Sequence, residues 1–107
     1  MKVRVIQPAY TFNAEDLQKN YEGMVALMEE CNEPLDIIVM PEYCDIPAAQ
    51  SGKAAYRAAI AKYNAPVMQK AIEMAKRCQS IVFINCAYES TDISTRSIAS
   101  RDTLVGV

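Results

Sequence analysis

The chain has no histidine and no tryptophan, and only 3 glycines in 107 residues. Without histidine there is no Ser-His or Cys-His dyad and no imidazole metal ligand. Acid–base chemistry must then use a carboxylate, lysine, tyrosine or cysteine. So few glycines exclude a glycine-rich phosphate cradle and a dinucleotide fingerprint. No apolar run approaches the length of a membrane span. The amino terminus, M-K-V-R-V-I-Q-P, has no apolar core of the kind a signal peptide needs, so a cytoplasmic, soluble protein is expected. The 4 cysteines (Cys31, Cys44, Cys78 and Cys86) form no C-x-x-C pair, which argues against a metal site. They are expected to be reduced, buried and mostly inert, and no cofactor is expected. The 11 basic and 13 acidic residues are mixed along the chain and give a net charge of −2, so no basic stripe marks a nucleic-acid surface.

What remains is an apolar chain, 51% hydrophobic, long enough for one small domain with a core. Its organising stretch is Leu35 to Pro47, L-D-I-I-V-M-P-E-Y-C-D-I-P. Ile37, Ile38 and Val39 are β-branched and favour extended backbone. A short, nearly continuous apolar run suits a strand covered on both faces, as in a parallel sheet. Pro41 ends it, having no N–H to give a ladder. Glu42 therefore falls just past the carboxyl end of a buried strand, on the rim where open α/β sheets bind ligands.

Other segments alternate around this strand. Val3 to Ile6 reads as a first strand, ended by Gln7-Pro8. Asn13 is placed to cap a helix running from Ala14 to about Cys31, with Asp16 supporting the first turn. Leu17, Tyr21, Met24, Met28 and Cys31 lie on one helical face, and the methionines read as core filler. Gly23 weakens this helix by roughly 1 kcal/mol relative to alanine, a cost that a close helix–sheet contact would explain. After the irregular Tyr43–Pro47 segment, Lys53 to Lys62 has high helix propensity, and Lys53, Arg57 and Lys62 give it a solvated basic face. Asn64 is placed to cap a separate helix with Pro66 in its first turn. That helix turns Val67, Ala71, Met74, Ala75 and Cys78 inward and Lys70, Lys76 and Arg77 outward. Ser80 to Ala87 is a third strand. Ser90 to Thr103 is polar and aperiodic, and Leu104 to Val107 reads as the start of another strand. The order β-α-β-α-(α)-β indicates an α/β layered sheet.

Three side chains near the rim have two readings each. Tyr43 is either a pocket wall beside Glu42 or a half-buried loop tyrosine. Glu89, at the end of the third strand, faces either the crevice of Glu42 or solvent. Cys44, two residues from Glu42, is either a nucleophile or an inert buried thiol, and adjacency does not supply the base geometry that a nucleophilic thiol needs.

The run D-I-I-V-M-P-E at 36–42 resembles the glutamate motif of the nitrilase, or carbon–nitrogen hydrolase, superfamily. V-R-V-I-Q resembles that family's opening strand, and A-P-V-M-Q-K-A-I-E-M-A-K-R-C-Q-S-I-V-F-I-N resembles the helix and strand that follow its glutamate. R-D-T-L-V-G resembles the run-up to its catalytic lysine. The resemblance implies a four-layer α-β-β-α sandwich, of which residues 1–107 form an incomplete amino-terminal part. It implies hydrolysis of a small-molecule amide or nitrile by a Glu-Lys-Cys apparatus, with Glu42 as the general base. Relatives commonly dimerise, so the complete protein is expected to be a homo-oligomer.

Only Glu42 carries over. The family's lysine and cysteine motifs have no match here, and Lys53, Lys62, Lys70 and Lys76 lie on helices before the third strand. The piece is therefore expected to be inactive alone and to leave one sheet face without its partner. Two other classes stay open: a non-catalytic module that pairs its open sheet face with a partner chain, and a flavodoxin-like binding domain. The lack of a phosphate loop disfavours the second.

Overall fold

Strand β2 (Ile37–Val39) lies between two parallel neighbours. On one side β1 (Val3–Val5) pairs with it, Val3 opposite Ile37 and Val5 opposite Val39. On the other side β3 (Ile81–Glu89) places Ile81 opposite Ile37 and Phe83 opposite Val39. The sheet is closed at its far edge by β4 (Ile98–Val105), antiparallel to β3. The computed structural model describes residues 1–47, 52–89 and 98–106. The mixed α/β architecture is the one the alternation of segments indicates.

The ladder continues past the formal end of β2. Ile6 N–H donates to the Val39 carbonyl at 2.9 Å, and Met40 N–H donates to the Phe83 carbonyl at 2.9 Å. Pro41 stops it, for want of a donor.

Both crossover helices pack on one face of this sheet. Helix α1 (Leu17–Glu29) follows a single 3-10 turn at Ala14–Asp16, so the helical segment starts where the sequence indicates but is tighter at first. Asn13 makes no side-chain cap. Asp16 organises the turn instead: Thr11 Oγ1 donates to its Oδ2 at 2.6 Å, and that bond holds its carboxyl below the usual range. Met24, Met28 and Cys31 are buried, and Leu17 and Tyr21 pack against the core from its margin, as the stripe requires.

Helix α2 (Gly52–Cys78) is a correction to the two helices read from sequence. It runs unbroken through Pro66, and Asn64 is not a cap. Asn64 instead points its amide at Asp45, with Nδ2 donating to Oδ2 at 2.8 Å. The predicted inward stripe is buried throughout: Val67, Ala71, Met74, Ala75 and Cys78. Arg77 does not simply face solvent. Its guanidinium donates to the carbonyls of Cys31 at 2.8 Å and Met28 at 3.1 Å, satisfying acceptors at the end of α1. The helices are further joined by Tyr63 Oη donating to Gln18 Oε1 at 2.7 Å and by the Tyr21 and Tyr63 rings, 4.8 Å apart.

Among the described residues nothing covers the opposite sheet face. Val3, Val5, Ile81, Phe83 and Leu104 are all exposed, Leu104 by 62%. They form matched rows across the strands, since Val5, Val39, Phe83 and Leu104 are successive register partners. Strand β4 is also longer than the sequence suggests. It starts at Ile98 rather than Leu104, because a polar run such as S-R-D-T can serve an edge strand whose pairing rests on backbone bonds with β3. Residues 90–97 lie outside the described residues.

Gly23 is exposed, and a Cβ built on it meets nothing within 4 Å. No close helix–sheet contact explains this glycine. Gly23→Ala is therefore expected to stabilise the fold by about 1 kcal/mol through helix propensity alone. A urea midpoint that rises checks this, and a fall would mean the site needs a bare backbone.

Candidate active site

Glu42 stands where the sequence places it, exposed, just past the carboxyl end of β2. The chain cannot leave the sheet freely at that point, because each of the next residues is tied to something. Tyr43 N–H donates to Asn85 Oδ1 at 2.7 Å, and Cys44 N–H donates to the Asn85 carbonyl at 3.0 Å. Ile46 N–H closes the turn on the Tyr43 carbonyl at 2.8 Å. Tyr43 itself has φ 50, in the left-handed region that a bulky side chain rarely enters. Such a conformation costs on the order of 1–3 kcal/mol and persists where neighbours over-determine it. Here the two bonds to Asn85 do so. The tyrosine ring is half-buried against the core, which is the loop-tyrosine reading of the two.

Asp45 anchors the segment from beneath. It is fully buried, and its carboxyl accepts from Ala87 N–H at 2.9 Å and from Asn64 Nδ2 at 2.8 Å. One side chain thus ties the segment to β3 and α2 together. Asn20 secures the far end: its Nδ2 donates to the Pro47 carbonyl at 2.7 Å and the Thr11 carbonyl at 3.0 Å, while its Oδ1 accepts from Thr11 N–H at 3.2 Å. A buried amide with its hydrogen bonds met fixes the loop after β1 against the segment after β2.

Cys44 faces inward and is fully buried, with its Sγ 3.7 Å from Cys86 Sγ. The hydrogen bond with Cys86 and burial together push its thiol well above the ordinary range. A thiol so held is a poor nucleophile, so nearness to Glu42 in sequence has no catalytic meaning. All four cysteines are free and buried, as expected. The side chain of Glu89 lies outside what the structure describes, and its proposed place in the crevice is untouched.

A cleft of about 260 Å³ opens at the same end of the sheet, lined by Val39, Met40, Phe83, Ile84, Asn85 and Asp102. Its walls are apolar and its polar rim is the Asn85–Asp102 pair, joined by Asn85 Nδ2 donating to Asp102 Oδ1 at 2.9 Å. Glu42 adjoins this cleft through the chain rather than lining it. Asn20, Asp45, Asn85 and Asp102 were not picked out from sequence. The available signal was polarity out of place: an asparagine near the apolar stripe of α1, another inside I-V-F-I-N-C-A, and an aspartate between two prolines.

Asp45→Ala leaves the Ala87 N–H without its acceptor in a buried place, and removes the acceptor of Asn64. A loss of roughly 2–4 kcal/mol is expected by chemical denaturation. A loss below about 1 kcal/mol would mean that water replaces the carboxyl.

Comparison with curated proteins finds no match, and neither does comparison with solved structures. The family model described as carbon-nitrogen hydrolase matches residues 2–102, which takes in β1, both helices, β2 with Glu42, β3 and β4 as far as Asp102. With nearly its whole length matched, and with D-I-I-V-M-P-E at the rim of a mixed α/β sheet, the chain belongs to the carbon–nitrogen hydrolase family.

Proposed function

We propose that residues 1–107 form the glutamate-bearing part of a domain that hydrolyses a small-molecule amide or nitrile, with Glu42 as general base. The observation that carries this is the placement of Glu42: exposed, at the carboxyl end of the central strand, on a turn held by Asn85 and Asp45. A base works best when its approach to the reacting proton is fixed in advance.

In the reaction that the family resemblance implies, a cysteine thiol attacks the amide or nitrile carbon while Glu42 takes its proton. A lysine stabilises the negative charge on the tetrahedral intermediate. From an amide, ammonia or an amine leaves, protonated from the glutamic acid, and a thioester remains; from a nitrile, the thiol adds to give a thioimidate, and one water adds to that before ammonia leaves and the same thioester remains. Glu42 then draws a proton from water as it attacks the thioester, giving the carboxylic acid and the free thiol. Cys44 does not supply the nucleophile, since it is buried with its thiol shifted upward. On this reading the lysine and the cysteine come from outside residues 1–107, and the chain alone is expected to be inactive.

The bare sheet face supports the same reading. Val3, Val5, Ile81, Phe83 and Leu104 form the kind of surface that a second sheet covers in an α-β-β-α sandwich. This face also favours a second reading, a non-catalytic module that pairs with a partner chain, in which Glu42 has no chemical task. Homo-oligomerisation of the complete protein belongs to the first reading. For location, no helix among the described residues is long and apolar enough to cross a membrane.

Glu42→Gln separates the two. In the complete enzyme it is expected to lower amide or nitrile turnover by roughly 100-fold to 10,000-fold while leaving the melting temperature nearly unchanged. Turnover that survives the change rules out Glu42 as the base.

The bare face makes a second expectation. The 107-residue chain alone should self-associate and bind hydrophobic dyes, and replacing Val5, Phe83 and Leu104 with threonine should reduce both. A monodisperse monomer with a cooperative melt and no dye binding would contradict it.

A further inference from the structure

Asn85 is a polar interruption in the apolar row that β3 presents on its bare face, after Ile81 and Phe83. Its amide has two unlike ends, and its two neighbours are unlike as well. On one side lies the carboxylate of Asp102, which can only accept. The Nδ2 group must therefore point there, and does so at 2.9 Å. The Oδ1 atom is left facing the other way, where it accepts the Tyr43 N–H at 2.7 Å. If the amide were turned over, oxygen would meet carboxylate and NH₂ would meet N–H, two repulsive contacts in place of two bonds.

The Tyr43 N–H belongs to the peptide plane that joins Glu42 to Tyr43. The next N–H, of Cys44, goes to the main-chain carbonyl of the same asparagine. Two successive N–H groups thus converge on one residue. They hold the turn in which Tyr43 takes φ 50. Asp102 sets the amide of Asn85, and Asn85 sets the peptide plane on the carboxyl side of Glu42.

We propose that Asn85 is the positioning residue for Glu42 and that Asp102, across on β4, fixes its orientation. The inference rests on Glu42 being the functional carboxylate. It places control of that carboxylate on the two strands farthest from β1, through a cross-strand pair at matched register.

The test uses hydrogen exchange by mass spectrometry on the 107-residue chain at micromolar concentration, with fragmentation to resolve the Tyr43 amide. Asn85→Ala is expected to speed Tyr43 exchange roughly tenfold, and Asp102→Ala several-fold, with Ile38 and Met74 amides unchanged within about twofold. The exchanged pair Asn85→Asp with Asp102→Asn is decisive. The new carboxylate accepts from both Tyr43 N–H and the new amide, so protection should return to within about twofold of the parent. Asp102 is exposed, so its variant remains informative if Asn85→Ala unfolds the chain. The proposal is overturned if Asp102→Ala leaves Tyr43 exchange unchanged, if the exchanged pair protects no better than Asn85→Ala, or if Tyr43 and core amides always move together. Turnover is not read, so a failure of Glu42 as general base would leave this result intact and would show in the Glu42→Gln assay instead.

Discussion

Ile37–Val39 exchanges backbone hydrogen bonds with β1 on one side and β3 on the other, and the rest of the sheet is built out from it. Three residues are few for a central strand, so their chemistry matters: each is β-branched, and Ile38 is completely buried. The pairing with both neighbours is parallel, which forces each connection to cross over the sheet, and α1 and α2 are those crossovers. The same geometry brings the carboxyl ends of β1, β2 and β3 to one rim. Pro41 then ejects the chain there, so that Glu42 is placed by backbone pairing before any side chain takes part.

Side chains finish what the ladder begins. A loop leaving a sheet would ordinarily be free to sample several turns, and this one includes a tyrosine in the left-handed region. Asn85 and Asn20 remove that freedom by satisfying its N–H and C=O groups from β3 and α1, and the loop's own Asp45 carboxylate accepts from β3 and α2. Buried polar groups are costly when unmet and rigidifying when met. The two faces of the sheet have unequal fates. One carries the helices and the core of Met24, Met28, Val67 and Met74, while the other presents apolar rows to solvent. The apolar face on the side of Phe83 and Leu104 is the one that a second layer would cover in the proposed sandwich.

Much of this was legible in the residues. The first three strands, the stripe of α1, the inward face of the second half of α2 and the position of Glu42 follow from periodicity, β-branching and proline. The misread parts have specific causes. Pro66 and Asn64 look like a helix start, yet α2 continues through them, since the proline's lost bond weighs less than the packing of the residues around it. Asn13 looks like a cap, but the Thr11–Asp16 contact serves that end of the helix. The segment 98–103, polar from Ser100 onward, looks aperiodic because an edge strand needs backbone partners more than an apolar face. The holding network of Asn20, Asp45 and Asn85 was beyond reach in another sense. Each partner is 9 to 42 positions away along the chain, and no local pattern encodes such a distance.

The most direct measurement is to read the coding sequence downstream of the Val107 codon in all three frames. If residues 1–107 are the glutamate-bearing part of a hydrolase, a lysine motif of the Y-x-K kind follows, and then a strand ending in a cysteine. A stop codon with neither motif beyond it in any frame would contradict the account, and would leave Glu42 as a carboxylate without a reaction.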